Sequence, residues 1–511
     1  MYPRDSRGVR PTGHDTAALV TAGSPIRFAV LPGNATLERW QLTCLRELQA
    51  VPDVSRVDAG TSSPLRELDL DFILSWIEPP ADLLHAARHG VWKYQFGDWA
   101  SYRGEPAGFW EVHEHQWVST AMLVQVTGDP DAVIVLREAH LRTNLLSAAA
   151  NRRQLQQSCS RWAAQLCTDI RNGVLSRFSA QPRRTAASIR LPPTSGQLLQ
   201  HKCRIATRMA TRALRDLFRH EQWNVGVVEQ PISVFLQSTA RAATHWMPDP
   251  RASEIRADPF GAIRDGRLTV LCEHLSFKDN RGVIVAVDAG QTAATSSVPV
   301  RIGPAPPVHL SYPFLVEYEG RTLCIPETHQ ARELALYEAE RFPDRWRKIA
   351  TLLADTVIVD ATVFRHAGLW WLAGSEAAPK GASCELHLWY STDLPGPWKP
   401  HPNNPVKVDV RSARPGGTPF VHEGVLYRPA QDCSSSYGSR IVINRVMTLT
   451  PTDFEEEFAA AVDPDIHGSY PEGLHTLSAV GAVTLIDGKR IRFVPAQFVR
   501  TLRSWLLPRS G

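Results

Sequence analysis

Acidic, basic and aromatic side chains recur at matching places in the second half of this 511-residue chain. The unit is clearest in Asp258-Pro-Phe-Gly-Ala-Ile-Arg-Asp-Gly-Arg-Leu-Thr-Val-Leu-Cys-Glu273, which reads as a strand, a tight Asp-Gly turn and a second strand ending in a carboxylate. Copies follow at Tyr312-Pro-Phe with Pro326-Glu327, at Asp360-Ala-Thr-Val-Phe with Trp370 to Glu376, and at Gly417-Thr-Pro-Phe with Leu426 to Gln431. A fainter copy starts at His475, its hairpin closed by Asp487-Gly488. If the copies are equivalent, Asp258, His309 or Tyr312, Asp360, Arg414 and His475 head the first strands, and Glu273, Glu327 and Glu376 end the second. Carboxylates that converge with His and Arg are suited to acid–base chemistry. His309, Arg414, Arg428 and Gln431 are candidates for holding an anionic or polyol ligand. The competing reading is structural, because Asp and Glu beside a turn glycine often just accept backbone N–H groups.

The elements that must position these residues are hairpins at a fixed period. Phe260, Phe314, Phe364 and Phe420 are separated by 54, 50 and 56 residues. Repetition at that period predicts a β-propeller with one blade per unit, here five blades over 225–505, whose innermost strands surround a channel. Trp370, Trp371, Trp389 and Tyr390 could stack on a ligand in such a channel or fill blade cores.

Length alone predicts more than one domain. Hydrophobic residues at 43% and charged residues at 21% describe a globular protein, and a net charge of +4 with no Lys/Arg stripe argues against a nucleic-acid partner. Eight cysteines without a Cys-x-x-Cys pair predict neither a disulfide framework nor a zinc site. No metal or cofactor is called for by the spacing, although a cation held by channel carboxylates stays open. Residues 1–25 read as a disordered leader without a signal peptide's apolar core, and no run is long enough to span a membrane. The expected location is cytoplasmic.

Ahead of the repeats, Ile26 to Pro32, Leu68 to Trp76, Gly90 to Phe96 and Val118 to Val126 read as buried strands, with a helix starting near Asn34 or Thr36. Strands alternating with helical stretches predict an α/β Rossmann-like domain over 26–140, followed by a helical connection over 141–224. No Gly-x-Gly-x-x-Gly follows the first strand, so a dinucleotide site is not expected.

Tyr102-Arg-Gly-Glu-Pro-Ala-Gly resembles the formyltransferase domain of methionyl-tRNA and sugar N-formyltransferases. That resemblance implies an Asn, a His and a downstream Asp as the catalytic set. In this chain the corresponding positions carry Lys93, Gln95 and Asp131 (or Asp129). Glutamine is no base near neutral pH, so the resemblance implies the fold with a degenerate site. Asp98, His113 and His115 are the groups left for an altered chemistry.

Ala257-Asp258-Pro259-Phe260 resembles the opening blade of family-43 and family-32 glycosidases. The resemblance implies Asp258 as base or nucleophile, Asp360 as a pKa-tuning residue and Glu327 as the acid, a set suited to cleaving or transferring a glycosidic bond. Over 225–500, Tyr312-Pro-Phe, Asp360-Ala-Thr-Val-Phe and Arg428-Pro-Ala-Gln-Asp-Cys-Ser-Ser-Ser-Tyr-Gly438 resemble the N-terminal propeller domain of plant glucosamine inositolphosphorylceramide transferases. Glycosyl transfer there is thought to belong to a separate domain that nothing in this chain resembles. Three readings follow. One is a carbohydrate-active enzyme with Asp258, Glu327 and Asp360 catalytic and Glu273, His309, Tyr312, Arg414, Arg428, Gln431 and His475 binding substrate. Another is a non-catalytic glycan- or nucleotide-sugar-binding partner of a glycosyltransferase. The last is an amino-sugar formyltransferase with an altered site.

Overall fold

The computed structural model describes residues 25–32, 36–57, 65–171, 182–185, 187, 189–237, 243–277, 279, 281–289, 297–305, 307–377 and 383–493. The expected leader and the last residues of the expected propeller, 494–505, lie outside them. The chain forms two compact units, one of 1–95, 122–137 and 156–186, the other of 96–121, 138–155 and 187–511.

In the first unit, Val54–Arg56, Ile26–Leu31, Phe72–Ser75 and Val91–Phe96 are neighbouring parallel strands. Within this unit residues 122–126, 132–137 and Arg183–Arg184 extend the sheet, with an antiparallel pairing at its far edge. Buried aromatics hold the parallel half together, Phe28 on Phe72 at 5.3 Å between centroids and Phe72 on Trp92 at 4.0 Å. This is a mixed sheet with little helix, not the regular alternation of strand and helix that a Rossmann-like domain requires. The first helix runs Arg39–Ala50, later than expected, because Glu38 and Gln41 form a reciprocal capping box there.

The second unit contains a five-bladed propeller. Its first blade is built from Glu254–Arg264, Arg267–Ser276, Arg281–Asp288 and Val298–Pro299. The second uses Ser311–Tyr318, Arg321–Glu327, Glu333–Arg341 and Arg345–Ala354. The third comprises Ile358–His366, Leu369–Glu376, Glu385–Ser391 and Lys399–Pro400, and the fourth Phe420–His422, Val425–Asp432, Arg440–Thr450 and Asp453–Val462. The last blade is shared by the two ends of the repeat region: Leu477–Val480 pairs with Val483–Phe493, which pairs with Arg219–Val228, and that strand pairs with Thr244–Trp246. Sharing a blade in this way leaves no open sheet edge at the junction of the ring.

A bulge recurs at the start of three blades. The pairing register slips between Ala257 and Phe260, between Ser311 and Phe314, and between Val359 and Thr362. Each slip puts one residue into left-handed backbone: Asp258 at φ 52°, Tyr312 at 42° and Asp360 at 53°. Non-glycine residues there are strained, and such strain concentrates at functional sites.

This register corrects three sequence readings. Thr362, not Phe364, is equivalent to Phe260 and Phe314, because Phe364 stands two residues further along the same strand face. Glu273 pairs with Ala257 and Glu327 with Ser311, but Ser375 occupies the matching place opposite Val359. Glu376 is therefore one residue out of register. The last hairpin turns at Gly481 rather than at Asp487-Gly488, and Asp487 lies fully buried within Val483–Phe493. An Asp-Gly pair there imitates a turn, while the close approach of Trp246 and Tyr470 is what requires glycine at 488.

Candidate functional site

The bulges explain how this sequence brings distant carboxylates together. A bulge leaves an N–H without its ladder partner, and a carboxylate accepts it in each case. Asp487 Oδ2 accepts from Asp258 N at 3.1 Å, Asp258 Oδ2 from Tyr312 N at 3.3 Å, and Glu327 Oε2 from Asp360 N at 3.2 Å. Each of these bonds passes from one blade to its neighbour, so the same groups lock the ring and line its centre.

Two clusters result. In the first, Asp258 Oδ1 accepts the Thr476 hydroxyl at 3.1 Å and lies 3.5 Å from His475 Nε2. His475 Nδ1 is 2.5 Å from Asp487 Oδ2, a short ion pair whose direction is poor for a hydrogen bond. Asp487 Oδ1 also accepts the N–H groups of His475 and Thr476, at 2.9 and 3.1 Å. The His475 ring stands 4.2 Å from Trp223, and Lys489 lies over the other ring at 5.2 Å while donating to Tyr437 O at 2.6 Å.

In the second cluster, Asp360 Oδ2 accepts from Gln431 Nε2 at 2.7 Å and from Arg414 Nε. Arg414 also reaches the Tyr437 hydroxyl at 3.4 Å. Glu327 Oε1 is 2.9 Å from His329 Nδ1, and Glu273 Oε1 is 3.2 Å from His309 Nε2. His309 Nδ1 accepts the Gly282 N–H at 3.0 Å, which keeps that nitrogen bare and leaves Nε2 to donate to Glu273. The Tyr312 hydroxyl bridges Thr362 and the Gly417 N–H, at 3.0 and 2.8 Å.

These surroundings spread the proton affinities of the carboxyl groups. Burial, with Glu273, Asp360 and Asp487 nearby, pushes Asp258 up to about 8 against the opposing pull of His475. Burial would lower His475, but Asp487 and Asp258 overcome it and hold the imidazole near 9. Asp487 is raised by burial and brought back below its ordinary value by His475. Burial also raises Glu327, yet the His329 hydrogen bond and the Arg414 charge leave it below the usual carboxylate range. Asp360 stays raised, because burial and Glu327 outweigh Arg414. The surroundings thus displace these carboxyl groups in opposite directions, Asp258 upward and Glu327 downward.

Of the sequence-derived candidates, Asp258, Tyr312 and His475 are joined in one set and Glu327, Asp360, Arg414 and Gln431 in another, while Glu273 and His309 form a separate pair. Arg428 has different partners: it is buried in an ion pair with Glu456 at 2.6 Å and donates to the Ser412 and Ala413 carbonyls. Asp487, Trp223, Tyr437, Thr476 and Lys489 complete the site without having been singled out. Asp487 was hidden by its turn-like Gly488, Tyr437 lies within the Arg428 to Gly438 motif, and Trp223, Thr476 and Lys489 stand in no distinctive motif. In the first unit Lys93 is paired with Glu78, Gln95 is half-buried on the same strand and Asp131 is exposed in a turn.

Asp258, His475 and Asp487 present ligand atoms within 4.8 Å of one another, so they are the described residues best placed to hold a cation. The affinity of His475 for a proton competes with that use.

Residues 220–469 match the family described as glucosamine inositolphosphorylceramide transferase 1, N-terminal. The glucosamine inositolphosphorylceramide transferase 1 of Oryza sativa subsp. japonica is 35% identical over 209 residues, which is 40% of this chain and 28% of that protein. The protein of the same name from Arabidopsis thaliana is 36% identical over 208 residues, 40% of this chain and 27% of its own length. Among solved structures, a family 117 glycoside hydrolase of Zobellia galactanivorans aligns at 12% identity and a TM-score of 0.35, covering 54% of this chain and 91% of that one. A thermostable family-43 glycoside hydrolase aligns at 10% identity and a TM-score of 0.33, over 45% and 86% of the two chains. The chain thus spans little more than a quarter of the curated relatives it matches, and the family match lies within the propeller.

Proposed function

We propose that the propeller channel binds a glycan and cleaves or transfers a glycosidic bond, with Asp258 as the acid and Glu327 as the carboxylate. The observation that carries this reading is the opposite displacement of the two groups, Asp258 up to about 8 and Glu327 below its ordinary value. Environments that push two carboxyl groups apart create an acid and a base at one pH. Asp360, held by Arg414 and Gln431, tunes the pair. The roles of Asp258 and Glu327 are the reverse of those the glycosidase resemblance implies. Glycosyl chemistry in the printed names of the matched proteins supports the substrate class.

A binding role without turnover is favoured by a different observation. Both oxygens of Asp258 and both of Glu327 already accept or pair with protein groups. In that reading the channel presents His309, Arg414 and Tyr437 to a glycan or nucleotide sugar delivered to a glycosyltransferase. The pairing of Lys93 with Glu78 supports a scaffold role for the first unit rather than formyl transfer.

The experiment is a mass-spectrometric turnover screen of glycosides, and of nucleotide sugars with glycan acceptors, on the wild type, Asp258→Asn and Glu327→Gln. Product that disappears in both variants supports the enzyme. Ligand-induced thermal stabilisation without product supports the binding role, and formyl transfer from a folate donor to an amino sugar contradicts both.

A further inference from the structure

Beside the acid clusters, the short segment Ser435-Ser436-Tyr437 carries a set of hydrogen-bond donors that the acid–base chemistry does not use. Three cations hold its three residues, and all of these groups belong to the second unit. Arg142 donates to the Ser435 carbonyl at 2.9 Å, and Lys489 donates to the Ser436 hydroxyl at 3.2 Å and to the Tyr437 carbonyl at 2.6 Å. Arg414 donates to the Tyr437 hydroxyl at 3.4 Å. The Tyr437 ring stands 5.3 Å from His475, which places the segment at the edge of the channel site. A hydroxyl that accepts from a cation keeps its own proton to donate. Among the described residues no protein group accepts the protons of the Ser435, Ser436 and Tyr437 hydroxyls, and the Arg142 fork has donors beyond its one bond to Ser435. Ser435 and Ser436 are half-buried, and Arg142 and Tyr437 are exposed, so a ligand in the channel can reach all four.

The charge around these donors is positive. Arg212 and Arg215, on the helix Ser195–Phe218, are close enough to Arg142 to repel its charge, and Arg142 in turn repels the buried Lys489 ammonium. The acids that oppose them are Glu221, 3.8 Å from Lys489 Nζ, and Glu472, and both are exposed. Arg414 is already matched by Asp360. Donors without acceptors, set among cations that outnumber the nearby acids, suit a ligand group that carries negative charge. The centre of the channel has the opposite sign, because Asp258, Glu327, Asp360 and Asp487 converge there. A ligand that fits both places offers neutral hydroxyls to the carboxylates and an anionic group to the rim.

We propose that Arg142 and the hydroxyls of Ser435, Ser436 and Tyr437 form a subsite for an anionic substituent, a phosphoryl or a carboxylate group, on the glycan held in the channel. The glycan half of this statement rests on the reading of the channel as a glycan site, whereas the anion subsite has a test of its own. The test is isothermal titration of the full chain, as wild type, Arg142→Gln and Arg142→Lys, with methyl glucoside, glucose 1-phosphate, glucuronate and inorganic pyrophosphate. The expected result is that one of the anionic sugars binds about tenfold or more tighter than the neutral glucoside, and the tighter of the two identifies the group. That advantage should shrink as salt rises, disappear in Arg142→Gln and return in part in Arg142→Lys. Thermal melting checks that both variants are folded. Equal affinity for the neutral and the anionic sugars overturns the subsite and leaves the glycan reading standing. Pyrophosphate binding that is lost in Arg142→Gln, with no sugar bound, supports the subsite and contradicts the glycan reading. Anion binding that is unchanged in Arg142→Gln, or no binding of any anion by the wild type, overturns the proposal.

Discussion

Asp258 and His475 retain protons in the channel because the alternative is a buried carboxylate among carboxylates and a neutral ring beside Asp487. Both groups have folded values above their unfolded ones. Their stabilisation is therefore complete below the unfolded values, about 3.9 and 6.5, and disappears as pH rises through about 8 and about 9. Glu327 and Asp487, held low, act oppositely: their contribution is present above about 4 and is lost as pH falls through their lowered folded values. Wild-type melting temperature should fall between pH 6.5 and 9. Asp258→Asn, which fixes the uncharged form, should flatten that alkaline decline, and scanning calorimetry across the range checks it. An equally steep decline in the variant would assign the alkaline loss elsewhere. Removing the cation that faces Asp360 has a larger effect. Arg414→Ala leaves a buried carboxylate without its partner and should cost about 3–5 kcal/mol by urea denaturation.

At the scale of the element, the recurring bulge made most of the site legible. Asp258, Tyr312 and Asp360 could be listed together from the sequence because Pro259, Pro313 and the surrounding strand pattern repeat with them. The strand period also placed Glu273 and Glu327 correctly opposite the blade heads. What the repeat could not supply was register within a copy. A phenylalanine at 364 drew the third unit two residues out, and Glu376 was taken for the residue whose place belongs to Ser375. Arg428 looked like a ligand-binding group in Arg428-Pro-Ala-Gln431, but its side chain pairs with Glu456 on the outermost strand of the fourth blade. Asp487 was unreadable for the opposite reason, since an Asp-Gly pair means a turn far more often than a strand interior. Ahead of the fourth blade's first strand stands Gly417, at φ 127°, and an added Cβ there would lie 1.9 Å from the Leu477 carbonyl oxygen. Gly417→Ala should therefore destabilise the protein by at least about 2 kcal/mol. Equilibrium unfolding checks this, and a neutral substitution would contradict the described packing of the fourth blade on the fifth.

At the scale of the molecule, the propeller depends on joining both ends of its own repeat. Ten residue pairs link Arg219–Val228 to the strand Val483–Phe493, and that strand also carries Asp487 and Lys489. Closure of the ring and assembly of the acid cluster are thus one event. A chain ended at Ala482 should lose the cooperative calorimetric transition of the propeller, and its retention would contradict closure by the shared blade. The central claim concerns the proton on Asp258 rather than the fold. Its most direct measurement is product formation by wild type and Asp258→Asn, followed by mass spectrometry over a glycoside and glycosyl-donor panel from pH 5 to 10. The account predicts wild-type product that declines above about pH 8 as Asp258 ionises, with turnover in the variant lower by about 10²-fold or more throughout. Comparable product from Asp258→Asn, or a wild-type rate that keeps rising through pH 9, would contradict it.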